Sequence, residues 1–221
     1  MRLRYLTPIA AACLLLGAAT ARADTLNLTG YTFGGPATVA VSSPNYSGGA
    51  GEFTGTYGPD ANPLNNPSFT TYCTDLLQSF AFNTVYTDYV FQSGVSAWGA
   101  TKANDLGRLV TGYRSAAFVN DSTSSAAFQL AVWEIIYEVQ TPYYSLADGS
   151  FKDTTSAAAL LATGWLSDLP NTSKVTVDKL LSREHQDFMV TTPVPEPSTF
   201  ALLLAGLASV GFVARRRSRS I

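Results

Sequence analysis

The spacing of apolar positions divides the chain into a strand-rich beginning, a helical middle and a strand-forming end. Between residues 24 and 57, short runs that alternate apolar and polar positions predict strands. Residues 69–92 are rich in aromatic and β-branched side chains and are the most strand-like stretch. Residues 175–181 and 187–190 predict two closing strands. Turns are predicted at the glycine pairs Gly34-Gly35 and Gly48-Gly49.

The period of the pattern becomes helical in the middle of the chain. Apolar residues three and four positions apart predict helices over residues 96–112, 126–139 and 154–169, the last of which ends at Pro170. The helix over 126–139 has the clearest amphipathic pattern. Strands early and late with helices between them predict an α+β domain over residues 24–190.

The N-terminal residues have the pattern of an export signal. Arg2 and Arg4 precede an apolar stretch, and Ala21-Arg22-Ala23 provides the small residues that signal peptidase requires at a cleavage site. We therefore predict a signal peptide over residues 1–23 and export of the remainder across the inner membrane.

The C-terminal segment 191–221 has three parts in a fixed order. The prolines of Pro195-Glu196-Pro197 hold the chain extended. Residues 199–214 carry no charge, and Arg215, Arg216 and Arg217 follow them. A helix over this uncharged stretch would rise roughly 24 Å, close to the ~30 Å hydrocarbon core of a bilayer. The pattern predicts one C-terminal transmembrane helix with its arginines on the cytoplasmic side.

The region between the two terminal segments is strongly acidic. Seven of the 14 basic residues lie in the two terminal segments, and all 16 acidic residues lie between 24 and 196, so that region has a net charge of −9. The negative charge argues against nucleic acid as the natural ligand, because phosphate binding depends on lysine and arginine. A negative surface suits an exported protein and can attract cationic partners.

A single cysteine remains after the predicted signal peptide, which contains Cys13. Cys73 therefore has no intramolecular disulfide partner, although exported proteins usually pair their cysteines. An inert buried thiol, an intermolecular disulfide, a nucleophile and another covalent use all remain open. His185 is the only histidine, and Glu184 and Asp187 near it predict a polar patch rather than a metal site. No cofactor is expected.

The tail resembles the PEP-CTERM sorting signal of Gram-negative bacteria. The run from Val194 to Thr199 matches its opening, and Arg215-Arg216-Arg217 matches its close. The resemblance implies that the membrane protease exosortase reads the tail. It also implies that the protein is anchored in the membrane before processing and is delivered to the cell surface or an exopolysaccharide matrix.

Two internal motifs resemble the thioester domain of bacterial surface adhesins. Tyr72-Cys73 places an aromatic residue before the cysteine, and Gln129-Leu130-Ala131-Val132-Trp133 resembles the glutamine motif of that family, although Phe128 replaces its usual threonine. In that family the cysteine attacks the glutamine carboxamide and expels ammonia. The resemblance implies a Cys73–Gln129 thioester that attaches covalently to amines on exopolysaccharide or another surface.

Two alternatives remain beside the thioester. The first is a structural or carbohydrate-binding matrix protein that acts without covalent attachment and contains an inert Cys73. The second is a periplasmic hydrolase in which Cys73 acts with His185. The sequence pattern favours a protein without a conventional enzyme active site.

Overall fold

The computed structural model describes residues 24–115, 118–139, 143–153, 156–194 and 202–210. The strands are β1 (Thr25–Tyr31), β2 (Ala37–Val41), β3 (Tyr46–Ala50), β4 (Phe53–Gly58), β5 (Ser68–Thr71), β6 (Val90–Gln92), β7 (Val175–Leu181) and β8 (Phe188–Pro193). The helices are α1 (Gly94–Trp98), α2 (Ala100–Tyr113), α3 (Ser122–Tyr137) and α4 (Ala157–Ser167), with a 3₁₀ turn at Pro63–Asn65. This arrangement confirms the α+β class. The predicted signal peptide lies outside the described residues.

The described strands form two antiparallel three-stranded sheets and one hairpin. The sheets have the orders β1-β4-β5 and β6-β7-β8, and the hairpin is β2-β3. The chain that leaves β5 runs beside the start of β8, where Met189 N donates to Tyr72 O at 3.0 Å and Thr74 N donates to Asp187 O at 2.9 Å. These bonds join the two sheets along a line that we call the seam, residues 71–74 and 187–189.

Helix α3 lies at the centre of the core. Asp121 caps it, because its carboxylate accepts the Ser124 N–H at 2.7 Å while the Ser124 hydroxyl accepts the Asp121 N–H at 3.1 Å. The helix begins four residues before the predicted start. All residues from Ser124 to Ile135 are buried, since α2, α4 and the β2-β3 hairpin surround the helix. The amphipathic prediction for this segment is therefore wrong.

The predicted strand over residues 69–92 forms only at its two ends. Between β5 and β6 the chain is irregular, apart from isolated bridges from Cys73 to Phe188 of β8 and from Tyr86 to Leu26 of β1. Asn83 has a φ of 59°, which interrupts extended backbone. Phe80 and Phe82 pack with Phe53, at ring-centroid distances of 5.1 and 5.9 Å, rather than joining a strand ladder.

The remaining boundary predictions have mixed outcomes. Gly34-Gly35 lies in a turn as predicted, whereas Gly48 and Gly49 lie inside β3, paired with β2. The helix predicted over 96–112 is divided at Gly99, whose φ of 83° ends α1 and begins α2. β7 matches its prediction, and β8 extends the predicted 187–190 strand to Pro193.

The structure does not support the predicted C-terminal transmembrane helix. Residues 202–210 are helical and exposed, and the rest of the 199–214 stretch lies outside the described residues. Among the described residues, no helix has both the length and the apolar character that a membrane crossing requires. The motif Pro195-Glu196-Pro197 and Arg215, Arg216 and Arg217 also lie outside them.

Two buried glutamates bind the 143–153 segment to α3 through hydrogen bonds. Glu134 is 0% exposed, and its Oε1 accepts the Ser145 N–H at 2.7 Å. Glu138 is 1% exposed and accepts the Ser150 N–H at 2.7 Å. Burial raises the pKa of Glu134 to about 7, and the charge of Glu138 adds to this shift, although the Ser145 N–H and Lys102 oppose it.

Glu134→Gln is expected to flatten the pH dependence of stability. The pKa of Glu134 is higher in the folded chain than its usual 4.5, so the folded state binds the proton more tightly. The stability from the protonated form is complete below pH 4.5 and is lost as pH rises through about 7. As the pH rises over that range, we expect the free energy of unfolding of the wild type to fall by about 1–3 kcal/mol relative to that of the variant.

Urea unfolding at pH 5 and pH 8 measures this difference. Glu184→Gln, at an exposed position, is the control for exchanging a carboxylate for an amide and should behave like the wild type. An identical change with pH in the wild type and Glu134→Gln would contradict the expectation.

Candidate functional site

Cys73 lies on the seam between the two sheets. It lies two residues after the end of β5 and forms an isolated bridge with Phe188, the first residue of β8. Its side chain is 1% exposed. Tyr72 packs on Phe128 of α3 at a ring-centroid distance of 4.6 Å. The seam therefore fixes the cysteine main chain from one side, and α3 contacts the same segment.

The carboxamide of Gln129 binds the main chain of Cys73 twice. Gln129 Oε1 accepts the Cys73 N–H at 2.9 Å, and Gln129 Nε2 donates to the Cys73 carbonyl at 2.7 Å. Gln129 is 0% exposed. The structure thus brings together the two residues that the sequence paired, and two hydrogen bonds hold the amide against the cysteine.

One face of α3 carries a row of four residues, and two of them, Gln129 and Tyr137, hydrogen-bond to the chain around Cys73. Side chains four positions apart share a helix face. At the first position of the row, Ser125 Oγ accepts the Glu52 N–H at 2.7 Å, and at the last, Tyr137 Oη accepts the Leu76 N–H at 3.0 Å. Sequence reasoning missed Ser125 and Tyr137, although the sequence places them four and eight positions from Gln129, on the same helix face. The row is Ser125, Gln129, Trp133 and Tyr137.

The sulfur of Cys73 is enclosed by the next turn of the chain. Cys73 Sγ donates to the Asp75 carbonyl at 2.6 Å and accepts the Asp75 N–H at 3.3 Å. Burial raises the pKa of the Cys73 thiol, and the charges of Asp75 and Asp187 add to the rise. The Asp75 main chain and the Trp133 indole act in the opposite direction. The thiol is consequently protonated at neutral pH.

The Trp133 indole supplies an unused donor beside this sulfur. Trp133 is 2% exposed, and its Nε1 has no hydrogen-bond partner within hydrogen-bond geometry among the described residues. The indole nevertheless lies near enough to the sulfur to lower the pKa of Cys73. Tyr46 packs edge-on against the ring at 5.6 Å. A buried N–H without a partner is costly. It is therefore placed to stabilise negative charge that develops on the sulfur during a reaction.

A cavity of about 250 Å³ connects the Cys73–Gln129 pair with the surface. Trp133 also lines it, and Ser79 and Phe82 are the exposed residues at its rim. The buried pair is therefore accessible to a small molecule or a side chain. The other lining residues are aromatic, amide or glycine, namely Tyr31, Tyr46, Gly49, Phe53, Gln78, Phe80 and Gln186.

The other candidates from the sequence lie elsewhere. The His185 ring packs on the Tyr86 ring at a ring-centroid distance of 4.5 Å. His185 does not line the Cys73 cavity, so the Cys73–His185 pair gains no support. Glu134 faces the 143–153 segment instead of the sulfur. Within the described ranges no group of three or more His, Cys, Asp or Glu residues is arranged to hold a metal ion.

Comparison with known proteins identifies the tail and leaves the folded domain without a match. A family model described as the PEP-CTERM protein-sorting motif matches residues 193–217. Neither the curated proteins nor the solved structures gave a match. The matched motif implies recognition by exosortase, export, and a surface or extracellular destination.

Proposed function

We propose that this exosortase-sorted protein attaches covalently to amines of the cell surface or exopolysaccharide matrix. Attachment uses a thioester between Cys73 Sγ and Gln129 Cδ. The observation that carries the proposal is the buried pair of hydrogen bonds, 2.9 and 2.7 Å long, that fixes the Gln129 carboxamide on the Cys73 main chain. Such fixing provides the proximity that an intramolecular acyl transfer requires.

Thioester formation needs no reactant beyond these two side chains. The Cys73 sulfur attacks Gln129 Cδ, and the bond from Cδ to the amide nitrogen breaks. The thiol proton passes to this nitrogen, which leaves as ammonia. The Cys73 N–H, already bonded to Gln129 Oε1 at 2.9 Å, stabilises the negative charge that develops on this oxygen.

Discharge of the thioester transfers the Gln129 acyl group to an amine. The amine nitrogen attacks Gln129 Cδ, the bond from Cδ to sulfur breaks, and the amine proton passes to the sulfur. The unpartnered Trp133 N–H stabilises the departing thiolate. The low exposure of the pair, 1% for Cys73 and 0% for Gln129, limits the contact of the thioester with bulk water.

Intact-mass measurement of the exported protein tests the thioester. We expect the wild type to weigh less than its processed sequence by one ammonia, and methylamine to add one methylamine and release one thiol. Cys73→Ala and Gln129→Ala should have their full sequence masses and form no adduct, because each lacks one end of the bond. Gln92→Ala, at a glutamine in β6, is the matched control and should behave like the wild type.

A wild-type protein at its full sequence mass, with a free thiol and no methylamine adduct, would contradict the thioester. That result would favour the alternative of a non-covalent matrix protein with an inert Cys73. Thermal unfolding of each variant shows whether it retains the fold, so that a missing adduct is not confused with misfolding.

The tail is proposed to act as an address that is held in the membrane until exosortase reads it. Replacing Pro195, Glu196 and Pro197 together by alanine is expected to abolish surface or extracellular delivery and to leave the protein in the membrane fraction. The matched motif includes these residues, whereas Thr191 lies just before it, so Thr191→Ala is the control. Immunoblots of membrane and extracellular fractions measure the distribution. Unchanged delivery of the triple variant would contradict the proposal.

A further inference from the structure

The cavity beside Cys73 has no charged residue among its described lining. Asp75 and Asp187, whose charges act on the sulfur, line a separate cavity, and Asp187 is paired with Lys179 at 2.6 Å. An ammonium group that enters the Cys73 cavity loses much of its hydration and meets no carboxylate in the cavity wall to form an ion pair, so the neutral form of an amine is favoured there. Only the neutral form is nucleophilic. The cavity therefore selects acceptors whose amines are substantially uncharged near neutral pH.

Lysine is a poor acceptor by this criterion. With a pKa near 10.4, roughly one lysine amine in a few thousand is neutral at pH 7. A primary amine on a sugar ring has a lower pKa, because the neighbouring oxygen-bearing carbons withdraw electrons. A larger fraction of such amines is ready to attack at the same pH.

The walls of the cavity suit a sugar ring. Phe53, Phe80 and Phe82 pack at ring-centroid distances between 5.1 and 5.9 Å, and Phe82 remains 36% exposed at the rim. Aromatic faces pack against the C–H faces of a pyranose as they pack against other apolar groups. The volume of about 250 Å³ is below the ~300–1,000 Å³ of typical ligand pockets, which favours one ring over a longer segment.

Two glutamines supply acceptors for the hydroxyl groups of a sugar. Gln78 Nε2 donates to the Arg183 carbonyl at 3.0 Å, and Gln186 Nε2 donates to the Asp75 carbonyl at 2.8 Å. Both residues line the cavity, and within the described part of the chain no donor binds the oxygen of either amide, so each oxygen is free to accept a hydrogen bond. A lysine side chain, with its four methylene groups, has no hydroxyl to donate to them.

Building on the proposed thioester, we propose that its acyl acceptor is the primary amine of an amino sugar within a polysaccharide. The amine nitrogen bonds to Gln129 Cδ, the Cδ–sulfur bond breaks, and the proton of the amine passes to Cys73 Sγ. The products are an amide between Gln129 and the sugar nitrogen and a free Cys73 thiol. At longer range, the net charge of −9 between residues 24 and 196 attracts a polymer whose other amines are protonated.

A comparison of four small acceptors tests the proposal. The exported protein is incubated at pH 7 with equal concentrations of methyl glucosaminide, methyl N-acetylglucosaminide, Nα-acetyl-lysine amide or methylamine, and adducts are followed by intact mass. We expect the glucosaminide adduct to form at least tenfold faster than the lysine adduct. The N-acetylated sugar should form none, because it lacks a nucleophilic amine.

A pair of phenylalanine variants separates recognition of the sugar from reactivity of the thioester. Phe82→Ala removes one wall of the cavity and should lower the rate ratio of glucosaminide to lysine to the value that the neutral fractions of the two amines set. Phe118→Ala, at a comparably exposed phenylalanine that packs on Tyr113 outside the cavity, should keep the wild-type ratio.

Each contrary outcome has a distinct meaning. If methylamine reacts but lysine reacts as fast as the glucosaminide, the acceptor proposal is overturned while the thioester stands. An adduct with the N-acetylated sugar would make a hydroxyl the acceptor and would overturn it as well. If methylamine forms no adduct, the acceptor proposal is overturned together with the thioester on which it rests.

Discussion

The two hydrogen bonds between the Gln129 carboxamide and the Cys73 main chain are the constraint on which the site depends. They join the central helix α3 to the seam that unites the two sheets. Each bond contributes about 0.5–1.5 kcal/mol net, but a buried amide left without partners would cost more. The fold therefore holds the amide in one orientation, and the proposed chemistry uses that same orientation.

Local patterns predicted the elements whose own sequence determines them. β7 and the three helical regions follow from the spacing of apolar residues, because this signal acts within one segment. The segment 69–92 was predicted wrongly, since the packing of Phe80 and Phe82 on Phe53 prevails over strand propensity. Burial of α3 on all sides depends on neighbours that no pattern within the helix reveals.

The candidate site was predictable in part. Cys73 and Gln129 were paired through a resemblance between short motifs, and the structure places them in contact. The unpartnered Trp133 N–H and the cavity could not be predicted, because Tyr31, Gln78 and Gln186 reach it from distant parts of the chain. The tail differs from the domain, since its order of prolines, apolar residues and arginines is itself the signal.

Electron density at the Cys73–Gln129 pair in a crystal structure of the exported protein tests the central claim most directly. The account predicts continuous density between Cys73 Sγ and Gln129 Cδ at covalent-bond length, with no density for the Gln129 amide nitrogen. Separate side chains at van der Waals distance, with the carboxamide intact and still bonded to the Cys73 main chain, would contradict it.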